Sequence, residues 1–283
     1  MLSGSAAPKF WPGLNFIDKR SRFIAAEIEI AESNTETCKV INEAIEKWKA
    51  AVVKDGSLPD TGYEINTAPA QGSQFVKQIT EICEALEFAG AYTTHKCGLH
   101  IHIDCRDLKV FDLRKVLYAY LKVEDNLFEM IAPSRQNNLY CKRLHETSLA
   151  ELPINKMDAK KWRKSFLESM YIEEENGRKI NNLTKGKFRR DKYHNHYYAM
   201  NLHSFFFRQT IEFRHHHGTI NAREIINWAN ICQEIINFAV KNSEKEIKQL
   251  LGCSVPLEAI LPKNLGDYFR EKKSYFARER EAA

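Results

Sequence analysis

The sequence predicts a mixed fold of strands and helices around one core, and three observations carry that expectation. Short segments with apolar residues at every second position alternate with longer ones whose apolar residues recur at helical spacing. The chain has 283 residues, 43% hydrophobic and 28% charged, which is ordinary globular material long enough for one large domain or two small ones. No internal repeat, low-complexity tract or clean linker divides it.

A leader over residues 1–20 precedes the first element. Residues 22–31, RFIAAEIEIA, read as a strand in which Glu27 and Glu29 alternate with Ile28 and Ile30. Val40, Ile41, Ala44, Ile45 and Trp48 then share one helical face, predicting a helix from 35 to about 51 with Glu36 near its start. The stretch VVKDGSLPDTGYEINTAP mixes turn signals with a short strand at Tyr63–Asn66. Phe75, Ile79, Ile82, Cys83 and Leu86 predict a helix over 72–90, GLHIHID (98–104) returns to period two, and 111–131 carries a long amphipathic pattern. Order weakens from about 133 to 196, an insertion or lid with the polar loop SRQNNLYCKR, a helix over 159–173 and the apolar-poor NGRKINNLTKGKFRRDK. Residues 197–214 read as two strands, 221–240 as a strongly apolar helix and 263–283 as a charged helical tail, leaving a single domain over 21–262.

A net charge of +5 suits an anionic ligand such as a nucleotide but falls short of the footprint of a dedicated nucleic-acid binder. The seven cysteines are odd in number and form no CxxC pair, so neither a disulfide framework nor a zinc knuckle is indicated. The amino terminus holds no apolar run of signal-peptide length, and no stretch approaches the roughly 18 apolar residues that span a bilayer. A soluble protein of the reducing cytoplasm is expected.

Four strand segments carry polar rows. In TIEFRHHHG, Thr210 to Gly218, Glu212 and Arg214 lie two residues apart and point to one sheet face, a carboxylate and a guanidinium able to hold a cation and a phosphate together. Alone, such a pair is usually a surface salt bridge. Glu27 and Glu29 share a strand face whose reverse is aliphatic, and Glu64 adds a carboxylate after the turn containing Asp55 and Ser57. His100 and His102 repeat the spacing with Asp104 beyond them, a common metal-binding geometry, although a lone histidine is most often structural. His216 is expected on the face of Glu212 and Arg214. If these strands are neighbours, the rows converge on a glutamate-rich pocket with a histidine edge, which favours magnesium or manganese over zinc.

The ordered set ExE, DGS with a following Glu, CGLHIH and N-x-TIEFR with a helix after it resembles the amidoligases, carboxylate–amine ligases related to glutamine synthetase and glutamate–cysteine ligase. The resemblance spans about residues 24–238. It implies an α+β fold, a curved, mainly antiparallel sheet forming a glutamine synthetase-like half-barrel with helices on its outer face. It also implies metal ligands at Glu27, Glu29, Glu64, His100 and Glu212, with Arg214 on the transferred phosphoryl group. Asn201 falls near substrate or nucleotide, His102 has no certain role beyond the substrate side, and the DGS turn puts Asp55 forward as the base with Ser57 beside substrate. Arg135, Tyr140 and Cys141 match a further segment, Arg135 as a clamp for phosphate or carboxylate and Tyr140 on the substrate side. The basic run holding Lys187 and Arg189 is expected over nucleotide phosphates; as an isolated charge run it is more often a solvated loop. The nucleotide-binding elements and ring-forming loops of true glutamine synthetases are not recognisable.

The implied chemistry is physically coherent. A carboxylate is a poor electrophile, so ATP first converts it to an acyl phosphate, and an amine then displaces phosphate to give an amide. The carboxylate, glutamate or another amino acid, and the size of the amine acceptor are left open. Two other readings stand beside it. One is an HxH metal-dependent hydrolase, which calls for a barrel of repeated strand–helix units. The other is a basic nucleic-acid-binding protein using residues 185–192, which has no recognisable reading helix.

Overall fold

The computed structural model describes residues 21–33, 38–150, 152, 158–175, 178–181, 197–250 and 257–282. Its centre is an open six-stranded sheet built from β1 (Ile24–Ile30), β2 (Ala51–Val53), β3 (Tyr63–Asn66), β4 (Gly98–Asp104), β7 (Met200–Asn201) and β8 (Thr210–His217). The strand order is β2-β3-β1-β4-β8-β7, and every neighbouring pair is antiparallel. A mixed fold with a mainly antiparallel sheet is therefore observed, and the sheet does not close on itself. The parallel barrel required by the hydrolase reading is not this fold.

The helices are α1 (Cys38–Trp48), α2 (Gly72–Phe88), α3 (Leu113–Glu129), α4 (Ala159–Tyr171), α5 (His203–Arg208), α6 (Ala222–Lys241), α7 (Glu244–Leu250) and α8 (Lys263–Ala282). The aliphatic side of the sheet, with Ile28 of β1, Ile65 of β3, Ile101 of β4 and Phe213 of β8, shares one continuous core with residues of α1, α2, α3, α6 and α8. Burying side chains of this size contributes about 1.5–3 kcal/mol each, which fixes the register because a one-residue slip would exchange the two faces. Asn221 caps α6 by accepting from the Glu224 N–H at 3.0 Å, and Trp228, Cys232, Ile235 and Ile236 form that helix's buried stripe. In α8 the charged residues cover only part of the surface, since Leu265, Tyr268 and Phe269 belong to the core.

Three local expectations are corrected. The turn-rich stretch before β3 contains β2, a strand only 3 residues long. The stretch from about 133 to 196 includes a hairpin of β5 (Ile172–Glu175) and β6 (Arg178–Asn181) after α4. Residues 197–214 do not form two continuous strands: α5 separates a two-residue β7 from β8, and it ends on Gln209 in the left-handed region at φ 58°. Among the described residues, no helix is long and apolar enough to cross a membrane.

Candidate functional site

Opposite the helices, the polar rows meet through strand register. Glu29 pairs with Glu64 across β1 and β3, Glu27 with His100 across β1 and β4, His102 with Glu212 across β4 and β8, and Asn201 with Glu212 across β7 and β8. Glu27, Glu29, Glu64, His100, His102, Glu212 and Asn201 are all buried. Like charges directly opposite each other, as at Glu29 and Glu64, destabilise a sheet unless a cation lies between them.

Glu27 is the hub. Its Oε2 lies 3.1 Å from His100 Nδ1, and its Oε1 lies 3.1 Å from His102 Nε2 and 3.0 Å from Arg208 Nη1. Burial would raise its carboxyl, but His102, His100 and Arg208 together hold it well below the usual range. Glu29 Oε2 accepts the Gly98 N–H at 2.6 Å, and its Oε1 is 3.5 Å from His100 Nε2. Glycine at 98 keeps this floor open, because a Cβ there would stand 3.2 Å from His100 Nε2 and 3.3 Å from Arg135 Nη2.

At the other wall Glu212 is ion-paired with Arg214 through Oε1 and accepts from Asn201 Nδ2 at 2.8 Å through Oε2. Burial pushes Glu212 up, yet the charges of Arg214 and His102 bring it to about 2. Glu64 shows the reverse balance. Burial, with the repulsion of Glu27, Glu29 and Asp55 added, pushes it well above its ordinary value, and a hydrogen bond from Asn66 opposes this only in part.

These donors fit a divalent cation. Glu29, Asp55 and Glu64 offer ligand atoms within 4.8 Å of one another, as do Glu27, Glu64 and His100, and again Glu27, His102 and Glu212. The oxygen-rich composition and the unrelieved repulsion at Glu64 are what a hard cation relieves.

The remaining candidates sit around this row. Asp55 is half-buried in its turn and accepts from the Ser57 N–H at 2.7 Å, while Ser57 is exposed. Arg135 is 3% exposed, and its Nη2 donates to the Arg214 carbonyl at 2.8 Å. Tyr140 is half exposed; its carbonyl lies 3.5 Å from Arg214 Nε and its ring packs edge-on against Tyr197. Burial raises the Cys141 thiol, so it is not poised as a nucleophile. Lys187 and Arg189, with the basic run around them, lie outside the described residues.

The expectation for His216 fails. Leu99 pairs with His216, but Ile101 pairs with Phe213, so β8 carries an extra residue at a bulge opposite β4. His216 turns to the helix side, 4.8 Å from the Trp228 ring, and His215 stacks on Phe128 at 5.1 Å. The bulge frees the Arg214 carbonyl from the β4 ladder, and Arg135 takes it.

A comparison with family models matches residues 25–236 to the family described as "putative amidoligase enzyme". The chain belongs to the amidoligase family. The match covers β1 through most of α6, the whole of the polar row. No curated protein matches the chain. Membership supports an enzyme, and specifically a ligase. Sequence reasoning missed three residues of this polar row in the amidoligase, Arg208, Thr210 and Ser204. Thr210 Oγ1 is 3.0 Å from His102 Nδ1 and 2.9 Å from Ser204 Oγ. Arg208 lies four residues before Glu212, in period-two phase with it, but it ends α5 and is followed by the left-handed Gln209 before β8 begins.

Proposed function

We propose that this protein is an ATP- and magnesium-dependent carboxylate–amine ligase working through an acyl phosphate. The observation that carries the reading is the registered row ending in Glu29 opposite Glu64, a repulsive pair that calls for a cation, with the Glu212–Arg214 pair at the other end. A glutamine synthetase-like half-barrel goes with this reading.

Glu27, Glu29, Glu64, His100 and Glu212 would hold magnesium, with manganese as the alternative ion. The bound cations supply charge neutralisation for phosphoryl transfer. A substrate carboxylate oxygen bonds to the γ-phosphorus of ATP and ADP leaves; the amine nitrogen then bonds to the acyl carbon and phosphate leaves. Arg214 steadies the transferred phosphoryl group. Arg135 acts through it, since its hydrogen bond to the Arg214 carbonyl fixes the bulge that aims the side chain. Asn201 ties Glu212 to the start of α5, its Oδ1 accepting from the His203 N–H at 2.9 Å, and so sets the nucleotide side. Lys187 and Arg189 are assigned to nucleotide phosphates. Asp55, at the Glu29 end, takes the proton of the attacking amine, with Ser57, His102 and Tyr140 on the substrate side. Glutamate or another amino acid is the carboxylate to try first.

The test supplies purified protein with magnesium, ATP, glutamate or other amino acids, and hydroxylamine as surrogate amine. ADP and phosphate should appear, with a hydroxamate, only when a suitable carboxylate is present. Failure to bind ATP in the presence of magnesium would sink the reading.

A further inference from the structure

Arg208 stands on a set of donors that is itself suited to a metal ion. Its Nη1 lies 3.0 Å from Glu27 Oε1 and 3.3 Å from His102 Nε2. Glu27, His102 and Glu212 offer atoms within 4.8 Å of one another, two carboxylates and one imidazole. His102 is oriented for this task. Nδ1 lies 3.0 Å from Thr210 Oγ1, which is itself 2.9 Å from Ser204 Oγ, and this anchoring turns Nε2 to Glu27 Oε1 at 3.1 Å.

The guanidinium is held at one point. Both contacts use the single nitrogen Nη1, where a structural arginine–carboxylate pair ordinarily uses a two-point fork. Its side chain keeps 17% exposure, against 7% for Glu27, so it has a way out toward solvent. Glu212 is also engaged by Arg214 and Asn201, so Glu27 is the carboxylate that Arg208 contacts directly, with the charges of Glu212 and Glu64 close by.

We propose that Arg208 is an internal counter-ion for a cation position formed by Glu27, His102 and Glu212, which a divalent cation takes only by displacing the guanidinium. Arg208 therefore competes with the metal, and His102 joins the ligand set. Displaced outward, Arg208 would face the phosphates of the incoming nucleotide. That last step rests on the ligase reading; the competition does not.

The experiment measures Mn2+ binding to the nucleotide-free, full-length protein by electron spin resonance and by calorimetry. Arg208→Ala should bind Mn2+ about tenfold more tightly than wild type, because a unit positive charge has been removed from contact with the ligands. Adding methylguanidinium to Arg208→Ala should return its affinity toward wild type, and Arg208→Lys, which keeps a cation, should stay close to wild type. Arg208→Gln provides the same comparison if the alanine variant does not fold. Unchanged, weaker or absent Mn2+ binding in a natively folded neutral variant overturns the proposal. A wild-type protein that turns over no ATP would overturn the ligase reading alone, since no nucleotide enters the Mn2+ comparison.

Discussion

Two histidine pairs sit on adjacent strands of this sheet, and they have opposite surroundings. His100 and His102 on β4 lie among carboxylates, 3.1 Å from the two oxygens of Glu27. His215 and His216 on β8 lie on the helix side among Phe128, Tyr120 and Trp228, where burial pushes His215 down to about 3 and His216 well below its ordinary value. The residue type is the same, and the face of the sheet decides what it does. Alternation places the first pair beside Glu27, whereas the bulge in β8 swings His216 away from Glu212 and into the core. On the polar face the imidazoles share Glu27, whereas on the helix side His215 packs as a ring among aromatic residues and His216 lies between Trp228 and Glu224.

The largest expected effect comes from emptying the polar face of a charge. Glu27→Gln should lower amide formation by about 1000-fold, since it removes the carboxylate shared by two of the three candidate cation positions on this face. Thermal stability should fall as well, because the half-buried Arg208 loses the carboxylate it pairs with and His100 and His102 lose their shared partner. A Glu27→Gln enzyme with near wild-type turnover would break the comparison. Next in size is the helix side. His215→Ala should cost about 3 kcal/mol by denaturant unfolding, leaving a cavity between Phe128 and Trp228. His215→Phe should lie within about 1 kcal/mol of wild type and keep its activity, because it preserves the ring and gives up only the hydrogen bond to the Ala199 carbonyl. The same change at His100 should abolish activity. Equal tolerance at both positions would show that the two faces are not different in kind.

Much of this contrast was legible in the sequence, and what was not has physical reasons. Glu27, Glu29, Glu64, His100 and Glu212 are visible because a strand buried on one face must alternate. Their convergence depended on which strands are neighbours, which spacing alone does not give. The bulge could not be read, because period-two reasoning assumes that no residue is inserted. β2 was lost in a run of turn residues. The segment HSFFFR looks like a strand by its aromatic content, yet it forms a single helical stretch that leads into the left-handed Gln209. Arg208 was passed over although Arg208, Thr210, Glu212 and Arg214 alternate in RQTIEFR; its approach to Glu27 depends on α5 and Gln209, which the pattern does not show.

The smallest effect, and the one that best separates the two faces, is their response to pH. Glu64 is raised above its ordinary 4.5 by burial and by Glu27, Glu29 and Asp55. Above that pH the unfolded chain releases its proton first, so the metal-free protein loses stability as pH rises through the window up to the folded value. His215 behaves oppositely. It stays neutral in the fold down to about 3 while the unfolded chain takes up a proton below 6.5, so its share of stability is lost as pH falls across that range. Thermal melts from pH 4 to 9 should therefore show a slope on the acid side that flattens in His215→Phe and one on the basic side that flattens in Glu64→Gln. Either slope is bounded by about 1.4 kcal/mol per pH unit for one group. Magnesium held at Glu64 would compete with its proton, so it should raise the melting temperature more at pH 8 than at pH 6 in wild type, and this pH dependence should shrink in Glu64→Gln. A magnesium effect indifferent to pH would mean that Glu64 does not face the cation.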